Sequence, residues 1–133
     1  MGTRSLTRVI ADGKHIMNMY RQFDGYPSGH GAELAALIKG KAIVNGYSHK
    51  GQQAFNGAGC LAASVVAEFK DGIGGIYLYP VESTNCGQDY EYHLIVDSER
   101  QTLRVKVDGC RGTEFDGTPE EFAEWCVKEE DEE

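Results

Sequence analysis

The residues best suited to chemistry lie in one segment, residues 19–31, which reads MYRQFDGYPSGHG. It carries an arginine, an aspartate and a histidine among glycine, proline and serine, and a helical pattern begins directly after it. A glycine-rich loop at the start of a helix leaves backbone N–H groups without intrahelical partners, and such groups bind anions. We therefore expect a phosphate to bind Arg21 and the N–H groups of residues 28–31, with a ring of the ligand stacked on a tyrosine. The residues expected to line this site are Tyr20, Arg21, Asp24, Tyr26, Ser28, Gly29, His30 and Gly31.

Arg21 is the residue of this segment whose surroundings can be predicted. It falls in a strand expected over residues 15–23, and strand alternation places it on an apolar face. A guanidinium among apolar side chains needs a partner. That partner is either a carboxylate such as Asp24, in a structural ion pair, or the anionic group of a ligand. The side chains that share its face are Met17, Met19 and Phe23.

A second glycine-rich helix entry follows at residues 56–59, Asn-Gly-Ala-Gly. If it faced the first loop, two sets of N–H groups would surround one pocket, so Asn56 and Gly57 are further ligand-binding candidates. The alternative is a helix packed closely on the sheet through small residues. The loop over residues 82–89 is a simple connection between strands or a rim that offers Asn85 or Asp89 to a ligand.

Catalysis is a weaker interpretation of the same residues. His30 could act as a general base oriented by Asp24, since an imidazole titrates near neutral pH. Cys86 or Cys110 could pair with a histidine (30, 49 or 93), but free cysteine is more often a small buried hydrophobic residue. The four cysteines match no zinc pattern and the histidines show no ligand spacing. We expect no metal and no cofactor.

The charge of the chain is concentrated at one end. The net charge is −8, and the residues from Pro119 onward contribute −7 of it, which leaves about −1 for residues 1–118. A nearly neutral body disfavours an extended nucleic-acid groove, which needs clustered Lys and Arg. The first twenty residues lack the apolar run of a signal peptide, and no segment is apolar enough to span a bilayer. We expect a cytoplasmic protein with reduced thiols.

The hydrophobic pattern predicts an α+β domain in the order β-β-α-α-β-β-β-α, with a mostly antiparallel sheet of about five strands. Asp12-Gly13 predicts a hairpin between the first two strands. Thr118, Pro119 and Glu121 predict the start of the last helix through a capping box. We expect one domain over residues 1–128, followed by an acidic C-terminal tail over 129–133.

Several stretches of the chain resemble a family of small uncharacterised proteins of phages and bacterial genomes. They are the start MGTRSLT (1–7), the run YRQFDGYPSGHG (20–31), Asn56-Gly57 with GCLAA (59–63), and GIYLYP (75–80). The resemblance covers residues 1–95 and leaves out the acidic end. It implies a setting in which small phage accessory proteins act on host defence, but it supplies no catalytic residues.

The function that we expect is a small cytosolic binding protein with a pocket for a phosphate-bearing molecule, in particular a nucleotide signal of host defence that it sequesters. The first alternative is a protein–protein interaction module that inhibits or adapts a host enzyme. The second is a small hydrolase or transferase that uses His30. We also expect a homo-oligomer, most simply a dimer, because three helices are too few to cover both faces of the sheet.

Overall fold

The computed structural model describes residues 2–44 and 54–132, and a six-stranded sheet organises this part of the chain. Three helices and a single π-helical turn, Pro27–Gly31, accompany the sheet, together with a separate pair of short strands. The strands are β1 (Ser5–Ala11), β2 (Lys14–Arg21), β3 (Ala42–Val44), β4 (Ala54–Asn56), β5 (Ile76–Leu78), β6 (Tyr90–Asp97), β7 (Thr102–Gly109) and β8 (Gly112–Gly117). The helices are α1 (Ala32–Ile38), α2 (Gly57–Phe69) and α3 (Pro119–Glu132).

The strand order of the large sheet is β5-β2-β1-β6-β7-β8. Strand β1 pairs with β6 in parallel, and every other pairing in this sheet is antiparallel. The β1–β2 hairpin turns at Asp12-Gly13, where both residues have positive φ (51° and 84°), as the tight turn between twisted strands requires. The α+β class with a mostly antiparallel sheet is therefore confirmed, with more strands than the sequence predicted.

Side chains alternate between the two faces of the sheet. One face meets the helices and forms the core, in which Leu94 and Val105 from the sheet are fully buried with Leu61 and Phe122 from the helices. The opposite face carries polar and aromatic side chains, and the segment 79–89 crosses part of it. The chain thus covers this second face in part without using a helix.

The last helix begins as its sequence predicts. The backbone N–H of Thr118 donates to Glu121 Oε1 (2.9 Å), and the N–H of Glu121 donates to Thr118 Oγ1 (3.2 Å). These reciprocal bonds lower the pKa of Glu121, because the backbone N–H stabilises its carboxylate. The helix continues to Glu132, so residues 129–132 of the expected acidic tail are helical and lie within α3.

Three strands were absent from the predicted order. Strands β3 and β4 form a parallel pair on either side of residues 45–53, which lie outside the described part of the chain together with the candidate His49. Strand β8 reads GTEFDG and combines two glycines with two acidic residues, a composition that is depleted in strands. It pairs with β7 and forms one edge of the sheet.

Candidate functional site

The backbone of the first predicted site is bonded within its own loop. The N–H of Gly29 donates to the carbonyl of Tyr26 (3.0 Å), and the N–H of His30 donates to the carbonyl of Asp24 (2.8 Å). The N–H of Gly31 also points at the Tyr26 carbonyl, at 3.4 Å. These three donors close the π-helical turn, so they are not directed at an anion as the sequence analysis expected.

The glycines of this loop are explained by close packing. A Cβ at Gly25 would lie 2.8 Å from the Arg4 carbonyl carbon, and a Cβ at Gly29 would lie 2.7 Å from the Asp24 carbonyl oxygen. A Cβ at Gly31 would lie 3.0 Å from the Cys126 sulfur. Glycine is therefore needed here so that the chain can fold tightly onto β1 and α3.

Arg21 has several partners within the fold. Its Nη1 lies 3.0 Å from Glu33 Oε2 and 3.1 Å from His30 Nδ1, and its Nε donates to the carbonyl of Phe23 at 2.7 Å. The guanidinium also lies over the ring of Phe69, with its carbon 5.5 Å from the centroid. The carboxylate that pairs with Arg21 is thus Glu33, from α1, and not Asp24.

His30 is fully buried and both of its ring nitrogens have partners. Nε2 lies 2.6 Å from Thr7 Oγ1. Arginine only donates, so Nδ1 must accept from Arg21 and the proton must sit on Nε2, which donates to Thr7. Burial, with the nearby Arg21 charge, lowers the pKa of His30 to about 3. A neutral, enclosed imidazole cannot reach a substrate, and Asp24 contributes only its carbonyl, so the geometry gives no support to the predicted acid–base pair.

The cleft beside Arg21 is acidic. It has a volume of about 220 Å³ and is lined by three carboxylates, those of Glu33, Glu68 and Asp71, besides Arg21. The C-terminal end of α2 also borders it through Phe69, and a helix C-terminus carries a partial negative charge. A phosphate in this cleft would meet a field of its own sign.

The two glycine-rich helix entries do not face each other. It is the last residue of α2, Phe69, that contacts His30, with ring centroids 4.6 Å apart. The first residue, Gly57, lies twelve residues away, about 18 Å along the helix axis. Gly57 lines a separate cavity of about 70 Å³ with Ser98 and two residues of β3. Asn56 and Gly57 therefore belong to the other end of the molecule.

The tyrosines expected to stack on a ligand are engaged elsewhere. Tyr20 lies on the sheet face opposite Arg21 and is 8% exposed. Its ring stacks on that of Tyr79, with centroids 5.2 Å apart and planes 6° apart. Tyr26 is half-buried and packs against Gly29. Neither ring borders the cleft at Arg21.

A second arginine, Arg8, is more deeply buried than Arg21. It is 2% exposed and lies on the face of β1 that the segment 79–89 crosses. Its Nε donates to Glu91 Oε1 (2.7 Å), its Nη1 to the carbonyl of Val81 (3.0 Å), and its Nη2 to the carbonyl of Ser83. Arg8 thus fastens the segment to the sheet. The alternation rule that selected Arg21 would have found it, because Arg8 stands between Leu6 and Ile10.

In the described part of the chain, no hydrogen bond joins Cys86 or Cys110 to His30 or His93 as a nucleophile to its base. Cys126 is buried against α1 and β6, and burial raises its pKa to about 12. Cys110 is exposed at the turn between β7 and β8, and its recorded contact is with the carbonyl of Asp89 (3.9 Å). His93 lies 3.4 Å from Asp108 and 3.7 Å from Glu91, and burial lowers its pKa. Among the described residues, no group of histidine, cysteine and acidic side chains is arranged to hold a metal ion.

A larger cleft, of about 570 Å³, lies between the start of β6 and the turn that joins β7 to β8. Arg111 stands in this turn, and the described residues place no carboxylate within ion-pair distance of it. Asp89 is fixed at the opposite wall, where its Oδ2 accepts the backbone N–H of Arg4 at 2.9 Å. The lining is Thr3, Asp89, Tyr90, Cys110, Arg111, Gly112, Thr113 and Glu114.

Of these residues, the sequence analysis had named Asp89 and Cys110. The cleft forms because β1 and β6 lie side by side in the sheet, where Ser5 pairs with Tyr90, so that Thr3 and Tyr90 line the same cleft. Ser5 and Tyr90 are 85 residues apart in the chain, so no local sequence pattern predicts this cleft.

No protein-family model matches this chain, and no curated protein or solved structure shows significant similarity to it. None of the helices described is both long and apolar enough to cross a lipid bilayer.

Proposed function

We propose that the protein binds a phosphate-bearing small molecule of about nucleotide size, and that the site is the 570 Å³ cleft at the β7–β8 turn. The observation that carries the proposal is the arginine without an acidic partner at the mouth of a cleft of this volume. Ligand sites commonly measure about 300–1,000 Å³, whereas the cleft at Arg21 has about 220 Å³. The ligand class is the one expected from the sequence, but we now propose the cleft at Arg111 as its site in place of the first loop.

Arg111 supplies the charge for an anionic group. Its guanidinium presents a planar set of donors that matches a phosphate in two places at once. Glu33 and His30 both contact Nη1 of Arg21, and the carbonyl of Phe23 accepts from its Nε, so two of its three nitrogens already have partners. Arg111 is therefore the better phosphate ligand of the two.

The other lining residues of the cleft suit the sugar and the base of a nucleotide. Thr3 brings a hydroxyl group to the cleft, whereas the hydroxyl of Thr113 already donates to Asp108 Oδ1 (2.8 Å). The Asp89 carboxylate can accept bonds from the hydroxyls of a ribose. Tyr90 is half-buried at the start of β6 and offers an aromatic wall for a base. The site thus combines the Arg111 cation with the Thr3 hydroxyl and the aromatic ring of Tyr90.

The two carboxylates of the cleft, Asp89 and Glu114, limit how much negative charge it accepts. One arginine cannot offset three or four phosphate charges beside two carboxylates. We expect nucleoside monophosphates and cyclic dinucleotides, which carry about two charges, to bind more tightly than nucleoside triphosphates.

The experiment is a thermal-shift screen of the three ligand classes, followed by calorimetric titration of any that bind. A ligand at about 100 times its Kd adds about 2.7 kcal/mol to stability, which raises Tm by several degrees. Arg111→Ala should weaken binding at least tenfold. Arg100→Ala removes another exposed arginine, in the β6–β7 turn, so it should leave the affinity unchanged.

Two results would count against the proposal. The first is no shift with any member of the panel at millimolar concentration. The second is binding that survives Arg111→Ala but is lost in Arg21→Lys, which would return the site to the first loop.

A further inference from the structure

Strand β8 carries an irregularity at Glu114. The β7–β8 register pairs Asp108 with Thr113 and Val107 with Phe115. Glu114 is therefore an extra residue, a β-bulge that has no pairing partner in β7. Bulges redirect a side chain and are frequent beside functional sites, and Glu114 also lines the 570 Å³ cleft at the β7–β8 turn.

A glycine makes room for the Glu114 carboxylate. Gly109 follows Val105 and Val107 in the alternation of β7, so a Cβ at Gly109 would point to the helix-covered face of the sheet. That Cβ would collide with Glu114 Oε2, so the carboxylate occupies the space above Gly109 on this face. Burial raises the pKa of Tyr92, a core residue of the same face, and the nearby Glu114 charge contributes to the rise. The bulge thus turns Glu114 toward the tyrosines of β6.

Tyr90 lies next to this carboxylate. It begins β6 as Gly109 ends β7, and the antiparallel register of these strands, continued by one residue, puts Tyr90 opposite Gly109. In the part of the chain that the structure describes, no hydrogen bond or ion pair engages the carboxylate of Glu114. The cleft therefore brings together an aromatic ring, a carboxylate with two available oxygens, and the guanidinium of Arg111.

We propose that the cleft selects guanine nucleotides through Glu114, which presupposes the nucleotide site proposed above. A carboxylate only accepts hydrogen bonds, and its two oxygens can accept from a parallel pair of donors. Guanine offers such a pair on one edge, its N1–H and its N2 amino group. The base packs against Tyr90 with this edge on Glu114, and the phosphate binds Arg111.

The other bases do not match the carboxylate. Adenine and cytosine have a single amino group beside a ring nitrogen that accepts, and uracil has one N–H between two carbonyl groups. Each of them would place a hydrogen-bond acceptor against a negatively charged oxygen, which is repulsive. The loss of one hydrogen bond to a charged group weakens binding about tenfold or more, so we expect at least a tenfold preference for guanine.

The test is calorimetric titration with guanosine, inosine and adenosine monophosphate (GMP, IMP and AMP). GMP should bind at least tenfold more tightly than AMP, and IMP, which lacks the N2 amino group, should fall between them. Glu114→Gln should weaken GMP binding at least tenfold without weakening AMP binding, because an amide offers one acceptor and no charge. Glu120→Gln removes the same charge from an exposed position of α3 and should change neither affinity.

Gly109→Ala tests the placement of Glu114 without altering that residue. The φ of Gly109 is not positive, so its backbone accepts alanine, but the new Cβ must displace the carboxylate. The preference for GMP over AMP should therefore fall at least tenfold while AMP binds as before. A thermal melt of each variant checks that it has folded.

Equal affinities of the parent chain for GMP and AMP would overturn guanine selection and leave the proposed nucleotide site standing. A preference for GMP that survives Glu114→Gln would also overturn it, because another group would then recognise the base. If none of the three nucleotides binds, guanine selection fails, and the thermal-shift screen decides the proposed function separately.

Discussion

Replacing Arg21 by alanine should reveal that this residue holds the first loop together. The change leaves His30 Nδ1 buried without a donor, at a cost of about 1–3 kcal/mol. It removes the bond to the Phe23 carbonyl, worth about 1 kcal/mol, and the contact with the Phe69 ring, worth about 0.5–1 kcal/mol. The pair with Glu33 adds little, because that side chain is 55% exposed and screened by solvent. We expect a total loss of about 3 kcal/mol.

The assay is urea unfolding of ligand-free protein, with the midpoint multiplied by the m-value. A loss of this size lowers Tm by about 10 °C in a chain of 133 residues. Arg104→Ala is the control, because it deletes an arginine whose pair with Asp116 is exposed on both sides, and it should cost less than about 0.5 kcal/mol. If Arg21→Ala is as mild as Arg104→Ala, the partners of Arg21 do not stabilise the loop, and a ligand becomes the better explanation of its position.

Two further predictions concern pH and the last helix. Burial lowers the pKa of His30 to about 3, so the unfolded chain takes up a proton below about pH 6.5 while the folded chain does not. This contribution to stability is complete above pH 6.5 and is lost by about 1.4 kcal/mol per unit as the pH falls toward 3. As the pH is lowered, the urea midpoint of His30→Gln should therefore fall less steeply than that of the parent chain. The control His15→Gln should keep the slope of the parent chain. Equal slopes in all three proteins would contradict this account. Thr118→Ala removes the N-cap of α3 and should cost about 1 kcal/mol in the same assay, and no loss would show that the cap is not needed.

The parts of the fold that follow from local chemistry were predictable from the sequence. The alternation of Leu103, Val105 and Val107 indicates the buried face of β7, and Thr118 with Glu121 indicates the start of α3. These signals work because each is fulfilled by residues within one element.

The first loop shows why the candidate site could not be predicted in the same way. A run of glycines is compatible with free N–H groups and with N–H groups bonded inside a π-helical turn, and the sequence does not separate the two. The carboxylate that meets Arg21 comes from Glu33, twelve residues along and on the next helix. Such long-range placement, like the pairing of Ser5 with Tyr90, depends on the packing of the whole sheet.

Strand β1 lies in the middle of the sheet, and its two neighbours emerge at very different times during synthesis. Strand β2 follows after two residues, so the hairpin can form at once. The other neighbour, β6, ends at Asp97, and the parallel pairing joins Ser5 to Tyr90. Until β6 leaves the ribosome, the hairpin presents one full edge without a partner. We therefore expect nascent chains that stop before residue 90 to aggregate, and folding to be limited by this long-range closure.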